Sequence, residues 1–69
     1  MKAMYLKRLR ELREDRDKTQ TEIAKILGMK QSQYSRYENG IRDIPLDSLI
    51  TLAKYYGVST DYILGLKKW

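Results

Sequence analysis

The sequence predicts an all-α domain of five short helices, and three features carry that reading. Apolar residues recur at three- and four-residue spacing, with no alternation of the kind a half-buried strand needs. Phe is absent, the only Pro is Pro45, and β-branched residues are scattered. The four glycines each follow a periodic segment, where a left-handed backbone can close a helix. With 69 residues the chain is read as one domain, 1–69. A domain of that size buries a modest core, and association with a second copy is one way to add to it.

Leu6, Leu9 and Leu12 form a stripe among charged residues, which predicts a first helix from about Met4 to Asp15. A charged connection, Asp15-Arg16-Asp17-Lys18, follows. Thr19-Gln20-Thr21-Glu22 matches a capping box, so the second helix starts at Gln20, with Ile23, Ala24 and Leu27 facing inward and Gly28 ending it. A third helix over about Gln31 to Asn39 carries Tyr34 and Tyr37 on its inner face and closes at Gly40. Ile41 to Ile44 is a loop, and Pro45 suits the start of a fourth helix because its missing N–H would be unpaired there anyway. Leu46, Leu49, Ile50, Leu52, Ala53 and Tyr56 are expected to face the core before Gly57 stops the helix. Ser59 caps a short fifth helix carrying Tyr62, Ile63 and Leu64 to Gly65.

Composition removes several classes of chemistry. With no Cys and no His, disulfides, Cys/His zinc sites, thiol nucleophiles and Ser-His-Asp triads are excluded, and neither a metal nor another cofactor is expected. Glu11, Glu14 and Asp15 lie among arginines and read as a solvated face instead of an acid–base cluster, so the chain is not expected to be an enzyme. No apolar run approaches the ~20 residues that span a bilayer, and the charges within Met1 to Leu12 interrupt any signal-peptide centre. No membrane association is expected, and the expected compartment is the cytoplasm. The net charge of +5 favours an anionic partner. Its placement is uneven: residues 1–18 carry seven basic and four acidic groups, 19–42 four and two, and 43–69 three of each.

Residues of about 20–39 have the spacing a helix-turn-helix requires, two helices joined by a short turn at a steep angle. Ala24 lets them approach, Gly28 makes the turn, and Ile23, Leu27, Met29, Tyr34 and Tyr37 supply a shared core. Together with Thr19-Gln20-Thr21-Glu22-Ile23-Ala24, Ser35-Arg36-Tyr37-Glu38-Asn39-Gly40, Leu49-Ile50-Thr51-Leu52-Ala53 and Val58-Ser59-Thr60-Asp61-Tyr62-Ile63-Leu64-Gly65, these residues resemble the Cro and phage-repressor type (XRE family) of helix-turn-helix regulators. The resemblance covers about Leu6 to Leu66 and implies a lambda-repressor-like DNA-binding domain.

What the resemblance implies is sequence-specific binding of double-stranded DNA, with the third helix in the major groove and the second across the backbone. Gln31 and Ser32 are then the leading base readers, with Arg36 and Gln33 further candidates. Glutamine can pair bidentately with adenine and arginine with guanine. Phosphate contacts fall by the same resemblance on Gln20, Lys30 and Asn39; for Arg42, Arg10 and Arg16 a backbone contact and plain solvation are equally open. Lys30 stands where the family often has a Ser or Thr cap, so the third helix should start without one. Arg13 and Glu38 match a pair that relatives use as an internal salt bridge behind the recognition helix. Tyr34 reads as core with its hydroxyl at the surface, or as a phosphate contact.

Repressors of this type bind pseudo-palindromic operators as homodimers, because one short helix reads few bases. Tyr62, Leu66 and Trp69 provide the apolar surface on which a two-fold contact is expected, although Tyr62 or Ile63 is also needed by the core. A transcriptional repressor is therefore the expected function, and the alternative is a protein-binding regulatory module such as an antitoxin or anti-repressor. RNA binding is disfavoured because the tyrosines lie at core spacing and leave no stacking platform.

Overall fold

The computed structural model describes residues 2–68, with side chains from Tyr5 onward. Five helices follow one another as α1 (Lys2–Asp15), α2 (Gln20–Ile26), α3 (Gln31–Glu38), α4 (Leu46–Tyr56) and α5 (Thr60–Leu64), and no strand occurs among the described residues. α1 begins earlier than the apolar stripe predicts, since Lys, Ala and Met all favour helix and need no buried partner to extend it.

Local chemistry sets most of the ends. The Thr19 hydroxyl accepts from the Glu22 amide at 3.1 Å, and the Glu22 carboxylate accepts from the Thr19 amide at 2.9 Å, which completes the capping box of α2. That backbone donor holds the Glu22 carboxyl below the usual carboxylate range. After Ile26 the chain passes through Gly28 at φ +69°, and the Met29 amide returns to the Ala24 carbonyl at 2.9 Å, closing the last turn. Gly40 is needed twice over. Its φ is +78°, and a Cβ there would stand 2.8 Å from Cδ1 of Leu6 in α1. Ser59 caps α5 by accepting from the Tyr62 amide, whereas α3 starts at Lys30 with no side-chain cap.

The core is built by all five helices. α1 contributes Tyr5, Leu9 and Leu12, α2 Ile23 and Ala24, α3 Tyr34 and Tyr37, α4 Leu49, Leu52, Ala53 and Tyr56, and α5 Ile63. α2 packs on α3, α1 on both α3 and α5, and α4 on α5. Two expectations fail on α4. Leu46 is 71% exposed and Ile50 40% exposed. The buried stripe of α4 is Leu49, Leu52, Ala53 and Tyr56; Leu46 sits in the first turn before it, and Ile50 about 100° around the helix from Leu49. Tyr5, absent from the expected core, is buried, and its hydroxyl accepts from the Ile44 amide at 2.8 Å, which ties the α3–α4 loop to α1.

Two arginines of the α1 region fasten helix ends. Arg8 lies 4.1 Å from the Tyr62 ring centroid and donates through Nη1 to the carbonyls of Tyr62 and Lys67. Arg16 donates to the Tyr56 carbonyl at 2.6 Å and stands over the Tyr56 ring. Both positions complement the negative end of a helix.

Candidate nucleic-acid interface

The turn between α2 and α3 spans residues 27–30, the two helices pack on each other, and Ala24 of α2 is 1% exposed. α3 is divided lengthwise. Tyr34, Tyr37 and Glu38 are buried, while Gln31, Ser32, Gln33 and Arg36 are exposed on the outer face. Lys30, Ser32, Gln33, Arg36, Tyr37 and Arg42 line a shallow groove of about 300 Å³ along that face. Gln33 Nε2 donates to the Tyr37 hydroxyl at 3.2 Å, so the Tyr37 ring is core but its oxygen borders the groove.

Behind this face lies a continuous polar chain. Glu38, the only acid in α3, is 2% exposed. Arg13 Nε donates to its Oε2 at 3.0 Å and Arg13 Nη2 to its Oε1 at 2.9 Å, and Arg13 Nη1 reaches the Lys18 carbonyl at 2.8 Å. Burial alone would push the Glu38 carboxyl up; its polar neighbours, Arg13 first and then the Tyr34 hydroxyl and Gln20, outweigh it and hold the group below the usual carboxylate range. Gln20 Nε2 donates to Glu38 Oε1 at 3.2 Å, and Gln31 Nε2 donates to Gln20 Oε1 at 2.7 Å. The first residues of α2 and α3 are thereby joined to each other and to the buried ion pair.

At the far end of α3, Asn39 Nδ2 donates to Ser35 Oγ and Asn39 Oδ1 accepts from Arg10 Nη2, both at 3.1 Å. The structure thus brings Arg10 to Asn39, a pairing across 29 positions that helix periodicity does not reveal. Arg16, by contrast, is committed to the end of α4.

Tyr34 is a core residue, as one of the two expectations had it, but its hydroxyl does not reach the surface. Its ring is fully buried, and its hydroxyl is buried too, near Glu38 but outside hydrogen-bond geometry. Burial raises its pKa far above the ordinary tyrosine value. The Tyr56 hydroxyl is likewise without a hydrogen-bond partner, and burial pushes its pKa up to about 12. The Tyr34 ring packs into the core, which places its oxygen near Glu38, Tyr56 and Arg13 instead of solvent.

On the C-terminal side, Tyr62 is half-buried beneath Arg8, Leu66 is 63% exposed, and Trp69 lies outside the described residues. Among the described residues no helix is long and apolar enough to cross a membrane, and no cluster of His, Cys, Asp or Glu could hold a metal ion.

Comparison with known proteins adds the wider context. A family model described as helix-turn-helix matches residues 9–63. The uncharacterized HTH-type transcriptional regulator YobD of Bacillus subtilis (strain 168) is 46% identical over 63 residues, which is 91% of this chain and 56% of that protein. The HTH-type transcriptional regulator ImmR of the same organism is 44% identical over 59 residues, 86% of this chain and 46% of that protein. The cryptic phage CTXphi transcriptional repressor RstR of Vibrio cholerae is 38% identical over 55 residues, 80% of this chain and 50% of that protein. The chain therefore spans about half the length of these relatives. No solved structure matches it.

Proposed function

The chain belongs to the helix-turn-helix family, and from that premise we propose that it binds double-stranded DNA sequence-specifically and regulates transcription, as a repressor acting through a homodimer on a pseudo-palindromic operator. One observation carries this reading: the single acid of α3 is buried against Arg13, so the exposed face of α3 presents only neutral amides, a hydroxyl and Arg36, flanked by Lys30 and Arg42. Such a surface can lie against phosphates without repulsion and still offer directional groups to base edges.

In this reading Gln31, Ser32, Gln33 and Arg36 face the bases, and Gln20, Lys30, Asn39 and Arg42 meet the backbone. Arg10 joins the second group through its hydrogen bond to Asn39. Homodimerisation supplies the second half-site, whose recognition helix would enter the next major groove about 34–36 Å away.

Titrations of Gln31→Ala and Lys30→Ala against selected, single-substituted and random duplexes test the assignment. Gln31→Ala is expected to lose about 1–3 kcal/mol on the selected site and discrimination at one base per half-site. Lys30→Ala is expected to weaken all duplexes alike. For a dimer with roughly three to five phosphate contacts per subunit, log K against log salt should fall with a slope of about −5 to −9. A slope near zero would sink the DNA reading.

A further inference from the structure

We propose that the buried Glu38 carboxylate determines which base Gln31 reads, by fixing the orientation of two glutamine amides in series. The inference rests on the DNA reading above and on the hydrogen-bond chain from Glu38 through Gln20 to Gln31.

The argument is one of donors and acceptors. An ionised carboxylate only accepts hydrogen bonds, and Glu38 is kept ionised by Arg13. Gln20 must therefore turn its NH2 group toward Glu38, as the 3.2 Å contact has it. Its carbonyl oxygen is then the atom left for Gln31. An oxygen acceptor there requires Gln31 to turn its own NH2 inward, and the 2.7 Å contact follows. Gln31, exposed at the first position of α3, consequently shows the outside a carbonyl acceptor and one remaining N–H donor.

That pair of groups matches adenine, whose major-groove edge offers an N6 donor and an N7 acceptor. With both amides reversed, Gln31 would spend its oxygen on Gln20 and show two N–H donors. Two donors match guanine, which offers N7 and O6 as acceptors. A charge buried at the inner end of the chain thus selects between the two purines at the outer end. Glu38 is a positioning residue: it touches no base, and Gln20 is the relay. A salt bridge that merely held α3 in place would affect all base positions together, whereas this chain ends at one side chain.

The test compares wild type, Glu38→Gln, Gln20→Ala and Gln31→Ala. Duplexes selected by wild type from a random pool define the site, and Gln31→Ala identifies the base pair Gln31 reads. Dissociation constants are then measured on that duplex and on its adenine-to-guanine variant, with substitutions elsewhere in the half-site as controls. Wild type is expected to prefer adenine by about 5- to 150-fold. Glu38→Gln, in which an amide replaces the obligate acceptor, should bring that ratio to within about 3-fold of one, with discrimination at the other positions kept.

Gln20→Ala keeps the Arg13–Glu38 pair and so serves if Glu38→Gln folds poorly. It too should lose the adenine preference at that one position, on top of a uniform loss from its missing phosphate contact. Retention of the full adenine preference in Gln20→Ala overturns the proposal, as does a Glu38→Gln protein that loses discrimination evenly at every position. If Gln31→Ala loses affinity equally on all duplexes, the base-reading assignment itself has failed and the relay falls with it.

Discussion

Arg13 and Glu38 join the last turn of α1 to the last residue of α3 through a two-point contact, Nε to Oε2 at 3.0 Å and Nη2 to Oε1 at 2.9 Å. The Glu38 side chain is wholly buried and that of Arg13 nearly so, at 14% exposure. Removing Arg13 leaves the buried carboxylate with only the half-exposed Arg10, 3.5 Å away, as a charge partner, so Arg13→Ala should destabilise the fold by about 3–5 kcal/mol. Adding Glu38→Gln should return part of that loss. Urea unfolding of the single and double variants measures both, and wild-type stability in Arg13→Ala would show that the contact contributes nothing.

The same pair shapes the acid response. Because the folded state holds the Glu38 carboxyl below its ordinary value, its contribution is present above the unfolded value of roughly 4.3 and is lost as the pH falls through the lower folded value. Thermal melts from pH 7 to pH 3 should show Glu38→Gln losing less stability on acidification than wild type. At the alkaline end the sign reverses. Tyr56, pushed up to about 12, contributes stability that is present below the unfolded tyrosine value of roughly 10 and lost as the pH rises from there through its folded value. Parallel acid profiles in the two proteins would assign the acid response to other carboxylates.

Lys30 separates stability from binding. It occupies the N-cap of α3 without a side-chain hydrogen bond, so Lys30→Ser should stabilise the free protein by about 0.5–2 kcal/mol. The same change should weaken selected and random duplexes equally and reduce the salt slope by about one per subunit. Calorimetry of the free protein and titration at two salt concentrations check the two halves independently. A more stable variant with unchanged binding would take Lys30 out of the phosphate set.

Tyr34 buries a hydroxyl that finds no hydrogen-bond partner. Deleting only that oxygen should therefore be neutral or stabilising, by up to about 1 kcal/mol for Tyr34→Phe. Deleting the ring as well, in Tyr34→Ala, should cost about 3–5 kcal/mol. The comparison of melting temperatures is decisive, since a destabilised Tyr34→Phe would mean the hydroxyl is hydrogen-bonded in solution.

The proposed two-fold contact on Leu66 and Trp69 predicts that truncation before Leu66 weakens self-association while the five helices persist. Tyr62 is less available, because Arg8 already covers its ring. Sedimentation at several concentrations, with circular dichroism as the folding control, reads the outcome. If the truncated chain still pairs and Leu46→Glu does not, the contact lies instead on the exposed apolar surface of Leu46 and Ile50.

Helix number, helix ends and the helix-turn-helix spacing were legible in the sequence because each depends on residues a few positions apart. Thr19 and Glu22 cap each other across three residues, and Gly28 closes α2 from just beyond its end. The exposed face of α3 followed from the same short-range periodicity, whereas the candidate base readers on it came from the family resemblance. Tertiary packing decided what no local pattern contains. Leu46 and Ile50 are apolar and helical but lie off the stripe that the neighbouring helices cover, so they remain exposed. Tyr5 is buried because the α3–α4 loop folds back to bond its hydroxyl, 39 positions away. Arg10 finds Asn39 across 29 positions, and the amide orientation of Gln31 depends on Gln20 and, through it, on a carboxylate whose charge is held by α1. A residue's type and local period restrict which face of a helix it occupies, but whether that face is covered, and by which donor or acceptor, is set only when distant segments meet.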